Sequence, residues 1–350
     1  LDTVTAQAIS LIEANYDLEA QYSDWLDNLV EVGATTFDQG CGFSLDEFEV
    51  LPCKDGAELK VYAFRSSALP PDYSHRFREA VGGLPPRLIV DVHPPGFAGT
   101  WTEVTREYPE ESRTALEIMG YPDLLGLLAT DPKGVGIRIV APLPEARTMS
   151  PRERTRWKML GAHIAAAYRL RRALEQAKAV EIVPNGHVAR AEAILDTKSF
   201  RFVQAAGRGE EESARELLRR AARRADTARS VLKKEDPSKA LETWQALVCG
   251  RWSLVDWFDT DGRRFILALP NPPSVWDPRG LNEQESQVVA FAALGESNKL
   301  IAYRLGLSQS RVSALLRAAM QKLCVKSRAQ LTRRLMTMTR PFGEVDTSVG

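Results

Sequence analysis

The run Leu281-Asn282-Glu283-Gln284-Glu285-Ser286-Gln287-Val288-Val289-Ala290-Phe291-Ala292-Ala293-Leu294-Gly295, continued by Ser297-Asn298-Lys299-Leu300-Ile301-Ala302-Tyr303-Arg304-Leu305-Gly306-Leu307-Ser308, decides the reading of the chain. Asn282 is placed to cap a helix, and Glu285 at its third position completes a capping box. The segment from Ser297 reads as a short helix halted by Gly306, and Ser308 caps a third helix that extends to about Leu323. Val288, Val289, Leu294, Ile301, Ala302, Leu305, Val312 and Leu316 supply a small core that holds two helices at a fixed angle. Gln309, Arg311, Ser313, Ala314 and Arg317 then point outward from the third. This is a helix-turn-helix.

Charge sets the same segment apart. The chain is formally neutral, with 46 Lys plus Arg against 46 Asp plus Glu. Residues 279–340 nevertheless hold eleven basic and three acidic residues, a net of +8, so the remainder sums to −8. One end carries the electrostatic footprint of a polyanion binder, although a solvated basic surface has the same charge.

Residues 281–331 resemble the DNA-binding domain of LuxR-type (NarL/FixJ-type) transcriptional regulators. The resemblance rests on Leu281, Glu285, Val288, Gly295, Ser297-Asn298-Lys299, Ile301-Ala302, Leu305-Gly306-Leu307-Ser308, Val312, Lys322-Leu323, Val325, Ser327-Arg328 and Leu331. Two positions depart from that family, which usually has Thr where Arg311 stands and His or Tyr where Leu315 stands. The resemblance implies a four-helix unit whose third helix enters the major groove of duplex DNA. Arg311, Ser313, Ala314 and Arg317, beside Gln309, are then the groove face; Ser308, Ser310, Lys299, Arg304, Lys322, Lys326 and Arg328 are placed for the backbone. A fourth helix from Ser327 to about Met338 would pair with a second copy through Leu331, Leu335, Met336 and Met338, and the same face serves equally to close the core. Such a homodimer reads an inverted repeat. RNA polymerase is a further candidate partner.

Upstream, four prolines in the run Leu269-Pro270-Asn271-Pro272-Pro273-Ser274-Val275-Trp276-Asp277-Pro278 forbid helix and mark a stiff linker, on which Trp276 suggests packing. The length of 350 residues favours two or three domains. We expect an α+β multidomain chain: a GAF-like α/β sandwich (1–178), a PAS-like α+β domain (179–269), the linker (270–278), an all-α four-helix domain (279–340) and a tail (341–350). In the first block, apolar residues at three- and four-residue steps predict a helix over 5–32. Strands are expected at 41–50 and 59–66 around Cys53-Lys54-Asp55-Gly56, then at 87–92, 124–130 and 136–141. Ser150-Pro151-Arg152-Glu153 opens a helix to about 178. The middle block predicts strands at 179–183, 187–193 and 199–205, helices at 210–234 and 237–248, and a hairpin over 251–269. GAF-like and PAS-like identities rest on element order, and a small molecule in the first domain is a candidate ligand. Trp157 and Ile164 on one long helix, with Leu218, Ala225 and Leu232 on the other, are candidate dimer contacts.

Other chemistries find little support. Cys41, Cys53, Cys249 and Cys324 lack paired spacing and read as thiols in a reducing cytosol. His75, His93, His163 and His187 are scattered, so neither a metal site nor a cofactor is expected. Asp91-Val92-His93 is a weak acid–base pair with no nucleophile nearby, and we expect no enzyme. Trp101, Tyr108, Tyr121 and Asp123 do not reproduce the spacing of quorum-sensor pockets. No apolar run reaches about 18 residues, so a cytoplasmic, non-membrane protein is expected. An adaptor with weakened DNA affinity is the alternative, motivated by Ala314 and Leu315 on a face that is normally more polar.

Overall fold

The computed structural model describes residues 2–132, 134–178, 186–273, 275 and 280–336. The expected single helix over 5–32 is two, α1 (Asp2–Asn15) and α2 (Tyr22–Phe37), packed on each other. Periodicity alone misses the break, which Asp17 makes by accepting the N–H groups of Glu19 and Ala20 at 3.2 and 3.3 Å. A hairpin follows, β1 (Phe43–Cys53) and β2 (Gly56–Ser67), in the expected place. Gly56, at φ +150°, is required there, because a Cβ would lie 2.3 Å from the carbonyl of Pro86.

Next come α3 (Tyr73–Gly82) and α4 (Pro86–Val92), then β3 (Ala98–Thr100), α5 (Trp101–Val104), α6 (Pro109–Met119), β4 (Asp123–Thr130), β5 (Val135–Leu143) and α7 (Pro151–Lys178). α4 corrects the expected strand at 87–92. Pro86 at the first helical position presets the backbone, and Leu88, Ile89 and Val92 then share one buried face. The five-stranded sheet is antiparallel throughout, in the order β2-β1-β5-β4-β3. Its pleat sorts side chains by parity. Leu125, Leu127, Ala129, Ile137, Ile139 and Ala141 join the core with α1, α2 and α7, while Leu124 and Val140 face Tyr73, Phe77, Ala115 and Met119 of α3 and α6. Helices therefore cover both faces.

The middle block holds α8 (Gly186–Ala189), β6 (Ala193–Asp196), β7 (Phe202–Ala205), α9 (Glu212–Thr227), a π turn over residues 228–232, α10 (Lys233–Glu235), α11 (Pro237–Thr243), β8 (Trp252–Phe258) and β9 (Arg264–Pro270). The expected strand at 187–193 is replaced by α8 and the later start of β6, and the strand expected at 179–183 lies outside the described residues. α11 ends five residues early, at Thr243. A second antiparallel sheet, β7-β6-β9-β8, packs Ala193, Leu195, Ile266 and Ala268 on Ala214, Leu218 and Ala222 of α9. Its other face, through Ile194, Val255, Leu267 and Leu269, joins the main core.

The proline-rich run starts as a fixed segment. Asn271 is buried; its amide donates to Ala166 O (2.8 Å) and Ser253 Oγ (2.6 Å) and accepts from Arg169 Nε (2.8 Å). Trp276 lies outside the described residues. Beyond it are α12 (Glu283–Ala293), α13 (Asn298–Leu305), α14 (Gln309–Lys322) and α15 (Arg328–Met336). Their apolar side chains belong to the same continuous core as α1 and α7, so this unit is docked rather than tethered.

Candidate nucleic-acid interface

Local rules place the helices as the sequence indicates. Asn282 accepts from Glu285 N at 2.9 Å, and Glu285 Oε2 accepts from Asn282 N at 2.9 Å, closing the capping box. Ser297 and Ser308 cap α13 and α14 through the N–H groups of Leu300 (3.3 Å) and Arg311 (3.1 Å). Gly306, at φ +65°, ends α13 in the left-handed region and makes the tight turn. Val288, Val289, Ile301, Ala302, Leu305, Val312 and Leu316 are buried as expected, joined by Phe291, Leu315, Ala319, Leu323 and Leu331; Leu294 is half-buried.

The outer face of α14 is open. Gln309, Ser310, Arg311, Ala314, Arg317 and Gln321 are exposed, along one stripe at helical spacing. Among the described residues the Arg311 side chain reaches only Gln284 Oε1, at 3.1 Å. Gln321 was not singled out by sequence, although it lies four residues beyond Arg317 on the same stripe. Ser313 is half-buried and accepts from Asn298 Nδ2 at 2.9 Å, tying α13 to α14. Leu315, at 4% exposure, turns inward. It is a core residue, and the adaptor alternative loses its main motivation.

The expected phosphate contacts divide. Ser308, Lys299, Lys322 and Lys326 are exposed. Lys299 lies 3.5 Å from Glu242, and Lys322 donates to Glu285 at 2.7 Å. Burial works to raise the Glu285 carboxyl, but Lys322 and the Asn282 N–H prevail and hold it below the usual carboxylate range. Arg304 is in the wrong place for a phosphate. It is 4% exposed, bonded to Glu296 at 2.8 and 3.3 Å and stacked 4.8 Å from the Phe291 ring. Arg328 is half-buried and donates to Glu296 O at 2.8 Å and to Asn298.

Most candidate dimer contacts are used inside the chain. Leu331 is fully buried, Trp157 packs edge-on to Phe37, and Ile164, Leu218 and Ala225 are core residues. Leu232 and Leu335 are half-buried against that core. The side chain of Met336 and all of Met338 lie outside the described residues.

The back of the unit is locked to the rest of the chain. Tyr303 of α13 is buried; its hydroxyl donates to Leu241 O at 2.8 Å and lies 2.9 Å from His163 Nε2. That nitrogen faces Trp244 O at 2.8 Å and so carries the ring proton. Tyr16 and Trp244 complete an aromatic knot with ring centroids 5.4–6.1 Å apart. Burial lowers the His163 pKa to about 4, against the weaker opposing pull of the Trp244 carbonyl, so the ring is neutral at pH 7. Nearby, Gln287 Nε2 donates to Gly250 O (3.1 Å) and Gly250 N–H to Leu305 O. A Cβ on Gly306 would lie 1.7 Å from Leu247 O. No sequence signal marks this contact, which joins residues 59 positions apart.

A second feature lies in the first block. Phe77, Ala80, Trp101, Ala115, Met119, Gly126 and their neighbours enclose an apolar cavity of about 70 Å³. Of the four aromatic and acidic residues weighed for a quorum-type pocket, only Trp101 lines it. Arg138 closes one wall, bonded to buried Asp46 at 2.7 and 3.0 Å and to His93 Nε2 at 2.9 Å. His93 Nδ1 faces Ile89 O at 2.9 Å, and burial together with Arg138 lowers its pKa to about 3. Asp91 is exposed and accepts from Tyr108, so Asp91 and His93 form no acid–base pair.

Four helices, three of them capped by Asn282, Ser297 and Ser308, with an open arginine-bearing third helix define a helix-turn-helix of the DNA-binding class. Residues 279–335 match the family model of bacterial regulatory proteins, luxR family, so this region is a luxR-type helix-turn-helix domain. No curated protein matches the chain. No described helix is long and apolar enough to cross a membrane, and all four cysteines are free. Among the described residues no cluster of three or more His, Cys, Asp or Glu is arranged to hold a metal ion.

Proposed function

We propose that the chain is a sequence-specific transcription regulator that binds duplex DNA through the outer face of α14. The observation that carries this is the stripe Gln309, Ser310, Arg311, Ala314, Arg317 and Gln321, left open while the helix's other side is buried. Arginines on that stripe reach base edges in the major groove, where a bidentate guanine contact is worth about 1–3 kcal/mol of discrimination. Lys299, Lys322, Lys326 and Ser308 flank the stripe for the phosphates. The chain acts as a homodimer on an inverted repeat, with α15 as the pairing element and half-sites about one helical turn apart. Because Leu331 is spent internally, pairing through α15 uses its other residues.

The upstream region is a GAF-like domain followed by a PAS-like one. Helices on both faces of the five-stranded sheet support the first assignment, and the apolar cavity supports a small-molecule signal. Docking through Tyr303 gives such a signal a path, since a shift of α7 moves His163 and with it α13. Fluorescence anisotropy on duplexes selected for binding tests the reading. Arg317→Ala and Arg311→Ala should each lower affinity for the selected site about 5- to 150-fold and leave random duplex less affected. Equal behaviour of the variants and wild type on both DNAs overturns it.

A further inference from the structure

The luxR-type domain is not the sole source of unneutralised positive charge near α14. Arg224 of α9 lines a cleft of about 740 Å³ together with Lys158 of α7, Lys299, Ser308 and Gln309. The cleft thus runs from the amino-terminal block to the first turn of the recognition helix. Arg220 sits one turn before Arg224 on α9, and both are exposed. On the other side, Arg311 bonds Gln284 at 3.1 Å, whose amide donates to Cys249 O at 3.2 Å. Arg224 thus shares one cleft with Gln309, at the start of α14, and Arg220 extends the same face of α9 away from it.

These cations have few counter-charges. Among the described residues Lys158 and Arg220 make no ion pair, Arg224 has only a 3.4 Å bond to the neutral Gln245, and Arg311 only its bond to Gln284. Glu242 is the cleft's one exposed carboxylate, 3.5 Å from Lys299; Glu296 is consumed by Arg304. Burial lowers the Lys158 pKa against the pull of Glu296, with Arg304 and Arg154 pushing the same way as burial. Arg224 is likewise lowered, by burial and then by Arg220. Like charges gathered this way repel, and few acidic partners offset them. What relieves the repulsion is an extended anion.

We propose that Arg220, Arg224 and Lys158 form an accessory phosphate-binding ridge on the upstream domains, continuous with the recognition helix, which grips the DNA backbone flanking the half-site. This rests on the reading of α14 as the groove helix. The domains that receive the signal would then touch the DNA themselves, and undocking the luxR-type domain would remove phosphate contacts without altering base readout. The occupant is a nucleic-acid backbone rather than an acidic protein, because the cleft that Arg224 and Lys158 line reaches Ser308 and Gln309 at the start of the groove helix.

The test is anisotropy of the full chain on the selected site, and on random duplex, across a salt series. Arg220→Gln, Arg224→Gln and Lys158→Gln should each weaken both DNAs alike and reduce the slope of log K against log salt by about 0.9. The triple variant should lose roughly three times as much, and Arg220→Lys with Arg224→Lys should keep the wild-type slope. Trimming the duplex to the two half-sites should erase the difference between wild type and triple variant. An unchanged slope for the triple variant, with Arg317→Ala still losing discrimination, overturns the ridge and leaves the groove reading intact. No DNA binding by wild type at low salt overturns both. A triple variant that binds DNA normally but loses an acidic protein partner reassigns the surface to that partner.

Discussion

Two regions of the luxR-type domain use arginine in opposite ways. Arg304 of α13 faces inward, paired with Glu296 and stacked on Phe291, both buried. Arg311 and Arg317, seven and thirteen positions on, face solvent from α14 with no carboxylate attached among the described residues. One side of the unit is built to stay put and the other to be offered. The difference comes from docking: α13 lies against α7 and the loop after α11, so its polar groups need internal partners, whereas α14 leaves a row of donors for an outside one.

The sharpest way to break this contrast is on the inward side. Arg304→Met leaves the Glu296 carboxylate buried without its partner and should cost about 3–5 kcal/mol of unfolding free energy. Urea denaturation measures this, and a loss below about 1 kcal/mol would mean that Arg304 is free to serve DNA after all.

The His163 knot predicts an acid sensitivity of the same side. Its pKa is about 4 in the fold against an ordinary value of 6.5, so the neutral form belongs to the native state. The stabilisation is complete above about pH 6.5 and is lost as pH falls from there toward 4. Its size is on the order of 3 kcal/mol. His163→Gln, whose amide can still donate to Trp244 O, should flatten that part of the stability–pH curve relative to wild type. Identical curves would remove His163 from the account.

Tyr303→Phe deletes the hydroxyl that reaches Leu241 O and His163. With Leu241 O left without that donor, while His163 keeps Trp244 O, it should cost about 1–3 kcal/mol. Faster amide exchange should follow in α13 and around residues 241–247, with α14 exchange little changed. Smallest of all is the outward side: Arg317→Ala should alter stability by no more than about 0.5 kcal/mol, as for an exposed site with no partner among the described residues. A larger loss would mean that Arg317 is structural.

How much of this was legible depended on whether the deciding contacts were local. The caps at Asn282, Ser297 and Ser308, the turn at Gly306, the hairpin at Asp55-Gly56 and the start of α7 at Ser150 follow from residues three or four apart, and sequence showed nearly all of them. The inward turn of Leu315, the burial of Arg304 and the role of Tyr303 were not legible. Each depends on which side of a helix meets a surface made by residues far away in the chain. Periodicity also misread 87–92, where four apolar residues suit a strand or a helix equally and Pro86 decides. Leu331, Trp157, Ile164, Leu218 and Ala225, read as dimer contacts, are buried within the chain for the same reason: an apolar stripe announces burial without saying what buries it.

Selection of duplexes bound by the full chain from a random pool, run in parallel with Arg317→Ala, tests the central claim most directly. The account predicts that wild type enriches a symmetric site, with half-sites about 10 base pairs apart. The variant should keep that spacing but relax the base preference at one position of each half-site. Failure of wild type to enrich any sequence at low salt, or the same site and preference from both proteins, would contradict it.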